Sequence, residues 1–234
     1  MAGRARSIAW ARLVIISSLA VTWCLGRLPL PASLGKLPTL TLAGEALQAV
    51  LSEVTVDHCS VILLTDGIAS STHFFMVKDQ LVAPWGMAVL EVSAEGQDTN
   101  LTLSLVVGQA QRLRQVSWCV TVVVVSDDLT FLATFAQWSL KGRLLVWSTR
   151  LLVVTRLPLH HLQHLHTLLS RRNALLVVVD YTATITKCSM YVHLPYTPQA
   201  SRPRWVASWT PRQGLALSAT LQLFPEKFYR LCFN

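Results

Sequence analysis

At 234 residues, with 52% hydrophobic and only 14% charged side chains, the chain has material for one large or two small domains and is unlike a disordered chain. Its formal charge of +8 includes Arg4, Arg6 and Arg12 at the extreme amino terminus, so the remainder carries only a mild basic excess. No Lys/Arg stripe with interleaved aromatics occurs, which argues against nucleic acid as a partner.

Residues 1–26 read as an export signal. MAGRARSIAWAR is a positively charged start, and LVIISSLAVTW is an apolar run shorter than the roughly 20 residues of a spanning helix. Cys24 and Gly26 are small residues at −3 and −1 of a cut. A signal-anchor is the rival reading. Residues 27–40 are a Pro-rich, extended lead-in. The secretory pathway is therefore the expected localisation, and it makes the sequon NLT a glycosylation site at Asn100. Cleavage leaves Cys59, Cys119, Cys188 and Cys232 as disulfide candidates, with three pairings open. Cys59 and Cys119 each begin an apolar run and suit buried free thiols equally well.

From residue 41 the pattern alternates between two periods. TLAGEALQAVLSEV spaces Leu42, Ala46, Ala49 and Val50 as a helix, and CSVILLTD is a continuous apolar run closed by Asp66, the pattern of a buried strand. FFMVKDQLV (74–82) fits either class. GMAVLEVSA is a strand, LTLSLVVGQAQRLRQ a helix, and CVTVVVVSD the clearest strand in the chain. DLTFLATFAQWSL is an amphipathic helix capped by Ser126, Asp127 or Asp128 and ended by Gly142, with Lys141 and Arg143 solvated in the connector. RLLVWSTRLLVVT is rich in β-favouring residues, with a bend at 148–150. PLHHLQHLHTLLSRR is a helix opened by Pro158, and NALLVVVD is again a buried strand. CSMYVHLPY and RPRWVASWT alternate more strictly, and one further strand follows Pro211. Continuous Val/Ile/Leu strands alternating with helices predict a three-layer α/β domain over 41–228. It has a mostly parallel sheet, helices on both faces and a carboxyl-terminal β-rich extension, and residues 229–234 are a tail.

Three strands end in an acid: Asp66, Asp127 and Asp180. In an open α/β sheet, ligands bind beyond the carboxyl ends of the strands at a topological switch point. Asp66, Ser126, Asp127, Thr155, Arg156 and Asp180 are therefore expected to share one rim, the one place to look for a small-molecule site. Helix capping alone accounts equally for Asp127 and Asp128. In HHLQHLH, His160 and His164 at i,i+4 would share a helix face, but no Glu or Cys stands at ligand spacing, so no metal is expected. The chain also lacks a Gly-rich phosphate loop, a dinucleotide fingerprint and a nucleophile elbow. The expectation is a non-enzyme without cofactor.

The stretches FAQWSLKGRLLVWSTRLLVVTRLPL, SMYVHLPYTP and RWVASWTPRQGLALSATLQLFPEKF carry a family resemblance. They resemble the extracellular amino-terminal region of the variant ionotropic glutamate receptors of arthropods, crustaceans in particular, over residues 120–228. Upstream, LQAVLSEVTVDHCSVILLTDG is compatible in order and character. The resemblance implies a lobe like those of periplasmic binding proteins, in a chemosensory, ligand-gated cation-channel family. It also implies other receptor subunits as partners through the ectodomain, and a small molecule as a further partner. In that family two ligand-binding segments and a membrane-embedded pore follow. Here the sequence stops at Asn234, so the agonist-contacting residues have no counterpart positions, and a chain truncated before the ligand-binding domain is expected. As part of a full receptor the domain would face outward at the plasma membrane; on its own it would be secreted. The alternative is a secreted α/β protein that holds its ligand at the Asp66/Asp127/Asp180 rim. Trp138, Trp147, Trp205 and Trp209 suit either packing or interface anchoring.

Overall fold

Val/Ile/Leu runs without polar alternation need cover on both faces of a sheet, and the computed structural model gives them that cover. It describes residues 14–16, 38–54, 59–67, 83, 86–92, 99–117, 119–146, 148–181, 186–194, 203–218 and 223–224. Along the chain run β1 (Val14–Ile16), α1 (Pro38–Val54), β2 (Ser60–Thr65), β3 (Met87–Glu91), α2 (Thr99–Gln115), β4 (Val120–Val125), α3 (Leu129–Lys141) and β5 (Arg150–Thr155). A 3-10 segment (Leu159–Leu165) then leads into α4 (His166–Arg171), followed by β6 (Asn173–Tyr181), β7 (Thr186–Val192), β8 (Arg204–Thr210) and β9 (Gly214–Leu217).

The strands form one nine-stranded sheet in the order β1-β3-β2-β4-β5-β6-β7-β8-β9. Strands β3, β2, β4, β5 and β6 are mutually parallel; β1 joins one edge antiparallel, and β6 to β9 form an antiparallel meander at the other. All six residues of β4 are buried, as a central strand of this kind requires. Alternate side chains divide between two cores. Val61, Leu63, Val123, Val125, Leu152 and Leu175 pack with Ala46, Leu47, Val50 and Leu51 of α1. Ile62, Leu64, Val122, Val124, Leu151 and Leu176 pack with α2, α3 and α4, including the fully buried Phe131 and Phe135. Each such Phe contributes on the order of 2 kcal/mol by leaving water. The predicted three-layer α/β architecture and its β-rich carboxyl-terminal extension are what the chain forms.

Several local expectations are corrected. Helix α1 already begins at Pro38, inside the expected lead-in, and proline suits a first helical turn. Val14–Ile16, within the stretch read as the export signal, forms the edge strand β1. Gly142 does end α3, but with φ −76 and not in the left-handed region; Arg143 takes the positive φ of 49. Gly142 matters for closeness instead, since a Cβ there would stand 3.0 Å from Val107 Cγ1 and 3.1 Å from the Trp138 carbonyl oxygen. Only residues 150–155 of RLLVWSTRLLVVT are a strand, although Leu144 and Leu145 of the irregular lead are buried. The helix expected after Pro158 opens as a 3-10 segment, because Leu159, Leu162, Leu165 and Leu168 recur every three residues, the period at which 3-10 side chains eclipse.

Outside the described residues lie Cys24, Gly26, Trp147, Cys232, the lead-in before Pro38, the ambiguous stretch 74–82, the Pro-containing turn 195–202, the segment 225–228 and the tail 229–234.

Candidate functional site

The winding of the sheet reverses between β2 and β4: the chain leaves β2 for β3 on one side and leaves β4 for β5 on the other. The carboxyl ends of β2 and β4 therefore mark the switch point, the place beyond which such sheets hold ligands. Register sets its contents. Thr65 pairs with Val125, so Asp66 and Ser126 emerge side by side. Asp66 is 2% exposed, and its Oδ2 accepts a 2.5 Å hydrogen bond from Ser126 Oγ. The same hydroxyl accepts from the Asp128 backbone N–H at 2.9 Å.

The three residues after β4 do three different jobs. Ser126 holds Asp66. Asp128 caps α3, its Oδ1 accepting from the Thr130 N–H at 2.8 Å. Asp127 reaches across to the end of β5. Its Oδ1 accepts from the Arg156 backbone N–H at 2.6 Å, and its Oδ2 accepts from Arg156 Nε at 2.6 Å and pairs with Nη2 at 2.5 Å. Thr155 Oγ1 donates to Asp127 Oδ1 at 3.4 Å and accepts from the Leu157 N–H at 3.1 Å. Gly67 adopts φ +67, and a Cβ there would sit 2.9 Å from the Val92 carbonyl oxygen. That close approach accompanies the Val92 N–H bond to the Thr65 carbonyl at 2.9 Å.

Asp66, Ser126, Asp127, Thr155 and Arg156 thus gather at one edge, as the strand ends predicted. Asp180 stands outside this hydrogen-bonded group. It is exposed, lies within β6 and not beyond it, and faces Lys187 of β7 in register.

Asn100 is exposed at the second position of α2, with its Oδ1 accepting from Trp138 Nε1 at 3.4 Å, and Lys141 Nζ stands 4.9 Å from the centre of the Trp138 ring. Trp138 is half-buried, Trp205 is exposed and Trp209 is buried. His160 and His164 do not share one face, because a 3-10 segment turns i and i+4 away from each other. His160 and His161 stack edge to face, and His166 Nδ1 instead meets Nδ1 of the buried His193 at 2.9 Å. No group of three or more His, Cys, Asp or Glu converges among the described residues.

Two arrangements went unread in the sequence. His166 and His193 lie 27 positions apart, and no local signal joins them. Cys59 and Cys119, two of the four disulfide candidates, are bridged to each other; it is this choice among the open pairings that the sequence did not carry. Each directly precedes an apolar run, and in-register parallel pairing of those runs is what sets the two side by side. Cys188 is free and buried, its thiol pushed up to about 12 by burial and secondarily by the Asp180 charge.

No family model and no curated protein matches the chain. Among the described residues no helix is long and apolar enough to cross a membrane.

Proposed function

We propose that residues 41–228 form the extracellular amino-terminal domain of an ionotropic glutamate-receptor-like chemosensory receptor, acting in subunit assembly or modulation and not in catalysis. The stretch that carries the resemblance, 120–228, builds β4 through β9, from the sheet centre to one edge. The observation that supports a non-catalytic role most directly is the state of the rim. Asp127 spends both carboxylate oxygens on Arg156, and Asp66 is held by Ser126, so these charges brace strand ends together. The Cys59–Cys119 bridge suits an oxidising compartment, in keeping with export. Asn100, exposed on α2, is the glycosylation site of that reading.

The test is full-length sequencing of the native transcript across the Asn234 codon. A frame continuing into two ligand-binding segments and spanning helices supports the receptor assignment; mature transcripts that all stop there overturn its channel part. The buried Asp66 at the switch point favours a second reading, a secreted protein binding a small molecule at the rim. A small molecule that raises the Tm of the wild-type chain and of D180N, whose site lies outside the rim, but not of folded D66N, supports it. Equal responses in all three overturn it.

A further inference from the structure

At the end of β2 and β4 opposite the rim, the residues just before the paired positions Ser60 and Val120 are Cys59 and Cys119, joined by the disulfide. Thr121 of β4 pairs with Arg150 at the start of β5, which brings the guanidinium to the bridge: Arg150 Nη1 donates to Cys59 Sγ at 3.6 Å. The backbone around the bridge is fixed. Ser60 N–H donates to the Cys119 carbonyl at 3.0 Å, and Ser117 Oγ donates to the same carbonyl at 3.1 Å. The two cysteines are not equivalent. Cys59 is 3% exposed, whereas Cys119 is half-buried.

We propose that the Cys59–Cys119 bridge is a site of thiol–disulfide exchange with low-molecular-weight thiols of the glutathione class, with Cys119 the sulfur attacked and Arg150 the group that receives Cys59 as thiolate. The reagent thiolate attacks Sγ of Cys119, the less buried of the two residues, along the S–S axis. A new S–S bond forms to Cys119, the old one breaks, and its electron pair leaves on Cys59 Sγ. A second reagent thiolate attacks the reagent sulfur of the mixed disulfide and frees Cys119. In total the protein disulfide takes up two electrons and two protons, and two reagent thiols become one reagent disulfide. A cation beside a cysteine favours its thiolate form, and a stabilised thiolate is the better leaving group. Arg150 stands beside the sulfur of the buried residue, and Cys119 is the less buried partner.

The experiment uses the full oxidised chain in glutathione buffers of graded ratio, quenched with an alkylating reagent and mapped by peptide mass. The expected result is a glutathione adduct on Cys119 with Cys59 alkylated. Arg150→Gln should open ~3–10-fold more slowly than wild type, and Arg150→Lys close to wild type. The Tm of oxidised Arg150→Gln should stay at the wild-type value. An adduct on Cys59, no adduct on either cysteine at any ratio, or an Arg150→Gln that opens as fast as wild type overturns the proposal. The adduct position is measured on the unaltered protein, so it decides the matter even where Arg150→Gln does not fold.

Discussion

The most exposed weakness of the molecule at the residue scale is a hidden one: the carboxylate of Asp66, 2% exposed and held by a hydroxyl from the neighbouring strand end. Ser126→Ala removes a hydrogen bond to a buried charge, so stability in denaturant titrations should fall by ~1.5–3 kcal/mol. Gly67→Ala meets two obstacles at once, a positive φ and a carbonyl 2.9 Å away, and should destabilise by roughly 1–3 kcal/mol in the same assay. Cys188 gives a pH prediction. Its native thiol stays protonated up to about 12, against an ordinary 9.0, because burial and then Asp180 oppose the thiolate. The native state therefore keeps a proton that the unfolded chain gives up. The sign of linkage makes this stability complete below the ordinary thiol value and lost as pH rises between the two, by ~1.4 kcal/mol per unit. Denaturation measured across that range should show a shallower alkaline loss in Cys188→Ala than in wild type. A thiol reagent at mildly alkaline pH should leave native Cys188 unlabelled until the chain unfolds.

At the element scale, α3 is anchored at both ends by different devices. Its start depends on the Asp128 carboxylate, and Asp128→Ala should cost ~1 kcal/mol of stability, read as a lower denaturant midpoint. The cap was legible as one of three adjacent candidates, but not which one. Ser126, Asp127 and Asp128 differ only in the partner each finds, and two of those partners come from other strands. The end of α3 shows the same limit. A glycine after a helix reads as a left-handed cap, yet Gly142 is chosen by its approach to Val107 on another helix, which no local pattern records. The 3-10 segment was legible in principle, in leucines spaced by three; a helical period was assumed across a stretch too polar to enforce it.

At the scale of the whole molecule, the class was readable because continuous apolar runs tolerate only a sheet covered on both sides. The rim was readable for a related reason: parallel strands deliver all their carboxyl ends to one edge, so Asp66, Ser126, Asp127 and Arg156 had to meet. Asp180 escaped because β6 runs on to Tyr181 and turns into an antiparallel hairpin, where the parallel-sheet rule stops applying. The disulfide was unreadable since its pairing depends on the register of β2 against β4, a tertiary fact. Its contribution follows from its span. With the cysteines 60 positions apart, a Cys59→Ser/Cys119→Ser double variant should lose ~4 kcal/mol in denaturant unfolding by the chain-entropy account.

That bond also closes residues 59–119 into a covalent ring made of β2, β3 and α2, with β1 and α1 before it and everything from β4 onward after it. A single protease nick between β2 and α2 would then cut the chain without dividing it. The nicked protein should migrate as one species on a non-reducing gel and as two after reduction, so a break in the backbone stays silent until a thiol arrives.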